Sequence, residues 1–411
     1  MAEKARRIAS FLGLTRSMMG LLIMVVLVGL GEKMAERFLP IYLLALGGGA
    51  VSIGLLNGLD NLLSALYSYP GGYLSDRLGY KRALLVFNLM AMSGFTLVIL
   101  VPSWPAVIAG AALFLSWTAI SLPATMSLVA QVLPAHKRTM GVSMHSLVRR
   151  LPMALGPVLG GVCISLWGER DGVRVAFGFA LALAGVALWL QQRLIEDRAP
   201  DEKSGKDLVK NPLRALHLLD RDLRSLLVAD ILVRFCEQIP YAFVVVWCMK
   251  YIATPVSAVQ FGVLTAVEMV TALLIYIPVA YLADRGSKKP FVVTTFVFFT
   301  FFPLVLYFCR SFWPLVGAFV LRGFKEFGEP TRKALIMDLA PEGRKAATFG
   351  LYYLLRDTVV SLAAFGGAFL WMLGPGVNFL TAFACGAAGT VWFAWKGRSP
   401  APSGGDDDGK D

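Results

Sequence analysis

Residues 70–77 read PGGYLSDR, and residues 278–285 read PVAYLADR. The proline, the tyrosine, the leucine and the Asp-Arg pair recur in the same order in both stretches. Further identities, several of them prolines or polar residues, align the second half of the chain with the first at a shift of about 207 positions. Apolar matches alone could arise by chance in a leucine-rich chain, but polar and proline matches at one shift indicate an internal repeat.

Apolar runs on both sides of these stretches predict membrane-spanning helices. The chain has 411 residues, of which 57% are hydrophobic and 16% are charged, and its mean hydropathy is +0.65. A water-soluble protein of this length needs more polar surface, so lipid is the expected solvent. A spanning helix needs about 20 mostly apolar residues. The runs that meet this length, helices one to twelve, are 17–45, 50–74, 83–101, 105–132, 141–167, 174–192, 223–249, 257–282, 290–309, 313–339, 346–372 and 376–396.

The predicted fold class is an all-α polytopic membrane protein with twelve transmembrane helices in two pseudo-symmetric bundles of six. The N-terminal bundle takes residues 1–193 and the C-terminal bundle residues 223–396. Residues 194–222 form a polar cytoplasmic linker, and the composition of the acidic tail, 397–411, predicts disorder. Parallel repeats related by an axis along the membrane normal are an architecture of membrane transporters.

The distribution of lysine and arginine predicts the orientation. On the side of the N-terminus the predicted loops and loop borders carry 27 of these residues, Arg332 among them, and the opposite side carries four. Because cytoplasmic loops are rich in lysine and arginine, we expect both termini and the linker in the cytoplasm, with the chain in the plasma (inner) membrane. The same distribution explains the net charge of +12 without a nucleic-acid partner. The expected partners are the lipid bilayer, a small-molecule substrate and protons.

Two motifs resemble those of the major facilitator superfamily, and the resemblance extends from Arg16 to about Lys396. The loop after helix two, GYLSDRLGYKR at residues 72–82, is similar to the superfamily signature G-x-L-x-D-R-x-G-R-K/R, with Tyr80 in place of a basic residue. Its second copy at residues 281–289, YLADRGSKK, is degenerate. In helix five, GPVLGG at residues 156–161 resembles the G-P-x-x-G-G motif of proton-driven antiporters. Helix four lacks the arginine that many members carry.

The first motif has two interpretations. The resemblance implies a conformational latch in which Asp76 meets the positive N-terminal end of a neighbouring helix, with helix eleven as the partner. Its glycines would permit close backbone approach and unusual dihedral angles. The alternative is a loop whose charges only set the topology. The residues of this latch are Gly72, Asp76, Arg77, Gly79, Lys81 and Arg82, with Asp284 and Arg285 in the second copy.

The glycine-proline motif also has two interpretations. Pro157 removes a backbone hydrogen bond and is expected to bend helix five, so that the bend controls access to a cavity. Gly156, Gly160 and Gly161 are expected to let another helix approach closely, and the alternative is that the motif serves packing alone.

Ionisable residues inside the helices are the candidates for substrate binding and proton coupling. A charge at the bilayer centre costs at least about 2.5–3.5 kcal/mol on insertion scales, so each should face a cavity or a partner. These candidates are Glu32, Glu36, Arg37, Asp60, Arg149, Asp230, Arg234, Glu237, Glu268, Arg322, Glu326 and Arg356. The resemblance implies that helices one, four, seven and ten line the central path. Helices two, five, eight and eleven then form much of the interface between the halves.

These charges allow two hypotheses. In one, acids and bases pair and lock the helices together. In the other, at least one buried carboxylate binds and releases a proton during the cycle, with Glu32 and Glu237 first and Asp60 and Glu268 next. Arg149 and Arg356 would clamp an anionic substrate or neutralise the acids.

The sequence contains no nucleotide-binding loop, no catalytic constellation and no metal-ligand spacing, so we expect no enzyme, no cofactor and no metal. The favoured function is secondary active transport of a small organic solute by alternating access, as proton antiport and hence efflux, by a monomer. Proton symport, facilitated uptake, a lipid flippase and an integral membrane enzyme remain alternatives.

Overall fold

The computed structural model of the protein is helical in every regular element of the part that it describes. The described residues are 15–115, 117, 121, 125, 128, 145, 148–195, 220–283, 287–341 and 345–398. Residues 399–411 of the predicted acidic tail, most of the predicted linker and much of helix four lie outside these ranges. The bounds of the two bundles therefore stay a prediction.

The helices of the N-terminal half follow the predicted order. They are Arg16–Glu36 and Leu39–Ala45 in helix one, Ala50–Leu78 in helix two, Tyr80–Leu100 in helix three, Trp104–Phe114 in helix four, and Arg150–Leu194. The last run joins helices five and six. Only Gly168 departs from helical dihedral angles within it (φ 81°, ψ 174°), and glycine adopts such a conformation without steric cost. Gly168 therefore marks the turn between the two spans.

The helices of the C-terminal half are more often interrupted. Helix seven comprises Arg221–Gln238, Phe243–Val246 and a π-helical turn at Trp247–Tyr251. Helices eight and nine are Ala258–Ala283 and Lys288–Phe308. Helix ten comprises Phe312–Gly323, a 3₁₀ turn at Phe324–Glu326 and Glu329–Leu339. Helices eleven and twelve are Lys345–Leu373 and Pro375–Lys396.

The length and composition of the helices agree with a membrane protein. Eight helices of the described part are long and apolar enough to cross a membrane. One of them, Arg150–Leu194, has 45 residues, which is enough for two spans of about 20 residues. These eight helices therefore contain nine spans, and helices two, four and ten bring the number to twelve. The predicted fold of twelve transmembrane helices in two bundles is confirmed.

Three predicted spans are interrupted, and each interruption contains or adjoins a proline. Helix one resumes at Leu39 with Pro40 in the new first turn, helix seven has Pro240 in its gap, and helix ten resumes at Glu329 with Pro330. Proline lacks a backbone N–H and clashes with the preceding turn, so each of the predicted spans 17–45, 223–249 and 313–339 contains a break in its helix. Irregular backbone at membrane depth is tolerated where it lines a cavity or is buried in protein, so these breaks point to the centre of the molecule.

The repeat is visible in how helices one and seven begin. The hydroxyl oxygen of Thr15 accepts a hydrogen bond from the backbone N–H of Met18 at 3.2 Å. The carboxylate of Asp220 accepts one from the backbone N–H of Leu223 at 2.8 Å. Both caps satisfy N–H groups that have no partner inside the helix. The two halves therefore share this local geometry although the capping residues differ.

Glycines bring the two halves together on the side opposite to the termini. Gly54 of helix two packs against Ala368 of helix eleven. A Cβ atom added to Gly161 of helix five would lie 2.5 Å from the carbonyl oxygen of Ala258 in helix eight. Small residues permit such close approach of membrane helices. Helices two, five, eight and eleven therefore form an interface between the halves, as the resemblance implies.

Candidate functional site

A cavity of about 500 Å³, including its open space, lies between the halves at the breaks in helices one and seven. Most of its wall is apolar, which is typical of sites for small molecules. Four predicted site residues meet there, namely Glu36, Arg37, Asp60 and Arg322. Asn57 and Tyr241 complete its polar lining.

The acids of helix one share a single lysine. The Lys33 ammonium donates to Glu32 Oε1 at 3.2 Å and also to the carboxylate of Glu36. Glu32 is 3% exposed and lines a second cavity of about 430 Å³ inside the N-terminal half. Arg149 and His145 lie in the wall of this second cavity. Glu32 therefore faces a polar cavity and a cation rather than lipid.

Asp60 lies in a different environment. Within the described residues, no lysine or arginine nitrogen lies within 4.0 Å of its carboxylate oxygens. Its neighbours on helix two dock on the break of helix seven, where the side-chain amides of Asn57 and Asn61 donate to the backbone oxygen and the side-chain oxygen of Gln238 at 3.0 and 3.1 Å. Asp60 is thus held at the interface as a carboxylate without a salt-bridge partner in the described part of the chain.

The acids of helices seven and eight are each shared by two cations. Glu237 accepts from Arg234 at 2.6 Å and from Lys325 at 3.0 Å. Glu268 lies 3.3 Å from Arg322 Nε and 3.1 Å from Lys325 Nζ, and it is fully buried. Buried charges are tolerated when they are paired in this way. The arrangement favours the ion-pair hypothesis for both glutamates.

A second network lies closer to the termini. Asp230 contacts Arg332, lies 3.5 Å from Arg356, and accepts a hydrogen bond from the Tyr352 hydroxyl at 3.0 Å. Glu329 joins this network through Arg332 at 2.7 Å. A further contact links Glu329 to Arg234 at 3.3 Å. Arg356 therefore serves as a counter-ion for Asp230 in this structure.

Sequence reasoning found Arg322 and Glu326 of helix ten but missed three other charged residues of this helix. Lys325, Glu329 and Arg332 were not among the predicted site residues, and the assignment of Arg332 to a cytoplasmic loop or its border is wrong. Its side chain is 1% exposed and makes ion pairs within the bundle. The nearby GEP tripeptide at residues 328–330 is the sequence signal that could have placed a helix break, and hence a buried polar group, at this point.

Two further polar contacts, besides those of Asn57 and Asn61 with Gln238, cross between the halves near the cavity. The Arg37 guanidinium donates to the Tyr241 hydroxyl at 3.0 Å. Arg150, next to the predicted Arg149, lies 3.5 Å from the carboxylate of Glu326. Glu326 is thus brought to the interface by the 3₁₀ turn of helix ten. Arg149 lies with Glu32 in the wall of the second cavity. Its role as a clamp for an anionic substrate stays a prediction.

The predicted latch is only partly described. Gly72 and Asp76 are described by their backbones alone, and Asp284 and Arg285 lie outside the described residues. Gly79 adopts φ 79°, which agrees with the unusual dihedral angle expected of it. Lys81 donates to the backbone oxygen of Gln192 in helix six at 3.1 Å, and Arg77 donates to Tyr73 at 3.4 Å. Arg82 also takes part in a polar or electrostatic contact. The predicted partnership of Asp76 with helix eleven stays a prediction.

The glycine-proline motif lies where three helices meet. Gly156 and Gly160 pack against Lys33 and Met34 of helix one, and Gly161 packs against helix eight of the other half. These glycines therefore lie at close contacts with two other helices, and the role of the motif in transport stays a prediction. Pro157 lies inside the long helical run, and the bend expected at this residue stays a prediction.

Comparisons with known proteins agree with this architecture. A family model described as Major Facilitator Superfamily matches residues 21–255 and 225–411. The uncharacterized MFS-type transporter of Methanocaldococcus jannaschii is 21% identical over 359 residues, which cover 85% of this chain and 87% of that protein. Quinolone resistance protein NorA of Staphylococcus aureus is 29% identical over 186 residues, which cover 44% of this chain and 45% of NorA.

Two solved structures show the same fold. A peptide transporter POT in complex with sulfate has a TM-score of 0.74 at 14% identity, with 93% of both chains covered. The nucleoside transporter NupG has a TM-score of 0.73 at 13% identity, with 90% of this chain and 99% of that chain covered.

Proposed function

This chain belongs to the Major Facilitator Superfamily, and from that premise we propose that it is a secondary active transporter that exchanges protons for a small organic solute. The proposed cycle is alternating access, in which the two bundles rock about the central cavity. The proposed direction is efflux. We place the chain in the plasma (inner) membrane as a monomer, with both termini in the cytoplasm.

The observation that carries the proposal is the environment of Asp60. Removing a carboxylate from water without a counter-ion is costly, and taking up a proton removes that cost. The charged groups that face Asp60 are Glu32, Lys33, Glu36 and Arg37 of helix one, together with Arg322 across the cavity. Of these cations, Lys33 is already shared by Glu32 and Glu36. Asp60 is therefore our first candidate for the proton site, and the two glutamates are next.

The four acids of the C-terminal half have a different proposed role. Glu237, Glu268, Glu329 and Asp230 each contact at least two cations. A carboxylate held in this way gains little from a proton. We propose that these ion pairs hold helices seven, eight, ten and eleven together while the N-terminal acids exchange protons.

Two observations support efflux over uptake. The relative NorA is named a quinolone resistance protein, and its match covers 45% of its length. The GPVLGG stretch of helix five also resembles the motif of proton-driven antiporters. Proton symport is the second candidate, and the direction of proton movement separates the two.

The test uses purified protein in liposomes that contain a pH-sensitive dye. Organic cations, anions, zwitterions and neutral compounds are added outside in turn, and the pH of the lumen is recorded. Antiport makes the lumen more alkaline as solute enters, symport makes it more acidic, and facilitated uptake leaves it unchanged. Asp60→Asn should abolish the coupled proton movement, whereas Asp171→Asn, an exposed acid on the far side, should keep it. Unchanged coupling in Asp60→Asn would reject the assignment.

A further inference from the structure

We infer that the central cavity takes a zwitterionic solute, whose anionic group lies against Arg37 and Arg322 and whose amine faces Asp60. This inference rests on the proposed transport function and names the substrate class of the same site. It follows from the charges that line the cavity and from the contacts that these charges lack.

Most N–H groups of Arg37 make no hydrogen bond within the described part of the chain. Its guanidinium carries five N–H groups, and it donates one hydrogen bond, to the neutral hydroxyl of Tyr241 at 3.0 Å. Among the residues that the structure describes, no carboxylate oxygen lies within 4.0 Å of its nitrogens. Arginine is always charged, so it cannot lose this charge by releasing a proton. An anion in the cavity would supply the missing partner.

Arg322 approaches the same point from the other half. It is 4% exposed, and its ion pair with Glu268 uses Nε at 3.3 Å. Its guanidinium carbon lies 5.7 Å from the centre of the Tyr241 ring, and that of Arg37 lies 5.3 Å from the same centre. Two arginines from opposite halves therefore border one aromatic ring. Their planar donors match carboxylate, phosphate or sulfonate groups.

Asp60, by contrast, requires a cation as its partner. It lines the same cavity as the two arginines, together with Glu36, whose ion pair is with Lys33. A bound anion alone would leave Asp60 without a cation, and a bound cation alone would leave Arg37 without an anion. The two acids and two arginines of the lining balance, so a solute that carries both charges satisfies the site best.

The apolar residues of the cavity wall indicate the chemistry of the uncharged part of the solute. Leu39, Leu56, Val244 and Phe261 face the cavity, and such apolar lining with a few polar groups is typical of sites for small molecules. An apolar spacer between the two charged groups of the solute would lie against this wall. The amine would compete with a proton for Asp60, which gives proton exchange a direct physical basis.

The test measures ligand-induced thermal stabilisation of the purified full-length protein in detergent. The probes are ω-aminoalkanoic acids of increasing chain length, each compared with the alkylamine and the alkanoic acid of the same length. Matched aromatic probes are 4-(aminomethyl)benzoic acid, its methyl ester and its N-acetyl derivative. We expect the bifunctional compounds to bind at least about tenfold more tightly than either monofunctional analogue.

Variants assign the two charged groups. Arg37→Gln should weaken binding of the amino acids and the alkanoic acids by about tenfold and leave the alkylamines unchanged. Asp60→Asn should weaken binding of the amino acids and the alkylamines by about tenfold and leave the alkanoic acids unchanged. Arg322→Lys keeps the charge beside Glu268 and should weaken binding of the acids by removing the planar donors. The exposed far-side variants Arg170→Gln and Asp171→Asn are the controls.

The outcomes separate this inference from the proposed function. Equal binding by monofunctional and bifunctional compounds, or no binding by any of these probes, would overturn the zwitterion inference. Proton-coupled movement of alkylamines without binding of amino acids would also overturn it, while leaving the transporter proposal standing. Binding of amino acids in the pattern above, without any proton movement in liposomes, would support the inference and reject proton antiport.

Discussion

Glu32 and Glu237 occupy equivalent positions in the repeat, as do Asp60 and Glu268, yet their surroundings differ. In the N-terminal half, Glu32 shares one lysine with Glu36, and Asp60 has no salt-bridge partner among the described residues. In the C-terminal half, Glu237 and Glu268 each contact two cations. The repeat therefore sets where the acids lie, and residues specific to each half set how they are neutralised.

The source of the difference is the fourth helix of each half. Helix ten carries Arg322, Lys325 and Arg332, which together contact Glu268, Glu237, Asp230 and Glu329. Their repeat equivalents in helix four are Leu115, Thr118 and Thr125. A substitution in one helix can therefore make the charge environment of one half resemble that of the other.

The largest expected effect is on the network of the C-terminal half. Arg332→Met should lower the free energy of unfolding by about 3–5 kcal/mol, because it leaves Asp230 and Glu329 buried with fewer cations. Thermal unfolding in detergent measures the loss. Arg149→Met in the N-terminal half should cost less, and adding Asp230→Asn to Arg332→Met should recover part of the stability. Equal losses for the two arginine variants would contradict the comparison.

Neutralising the equivalent acids should separate stability from transport. Glu268→Gln should cost about 3 kcal/mol of stability, since Arg322 then loses its carboxylate partner. Asp60→Asn should leave the unfolding temperature unchanged or raise it, because it removes a half-buried charge that has no salt-bridge partner among the described residues. Both variants are measured by thermal unfolding and by proton movement in liposomes. Destabilisation of Asp60→Asn to the same extent would show that Asp60 is paired.

The backbone packing should respond equally in the two halves. Gly160 and Gly367 are repeat equivalents, and a Cβ atom on either would collide with a backbone carbonyl, that of Met34 or Ile239. Each change to alanine should cost about 1–3 kcal/mol through overpacking. The neighbouring Gly366 has open space beside it, so Gly366→Ala should be neutral or stabilising by up to about 1 kcal/mol. Unequal losses of stability at the two equivalent glycines would show that the repeat in the sequence does not extend to helix packing.

The smallest expected effect comes from transferring one charge. Leu115 lines the central cavity with Asp60 and is the repeat equivalent of Arg322. Leu115→Arg should supply Asp60 with a cation and reduce pH-gradient-driven transport by about tenfold, equivalent to about 1.4 kcal/mol. Leu115→Gln introduces a polar group of similar size without the charge and should retain most of the gradient dependence. Loss of gradient dependence in both variants would indicate a steric effect.

The sequence by itself determined the number of helices, the repeat and the resemblance to the superfamily. It could do so because hydrophobic length, proline and glycine positions and loop charges are local properties, and lipid requires every span to satisfy its own backbone groups. It also identified Glu36, Arg37, Asp60 and Arg322 as ionisable residues inside the helices, and these meet in the central cavity.

Only the tertiary structure decided which charge neutralises which. Asp230 meets Arg332 although 102 positions separate them, and Arg37 reaches Tyr241 across 204 positions. Such partners depend on how helices pack and where prolines interrupt them, and no local pattern encodes a distance between remote helices. The interruptions turned Tyr241 and Glu326 toward the interface, and the packing left Asp60 without a salt-bridge partner in the described part of the chain.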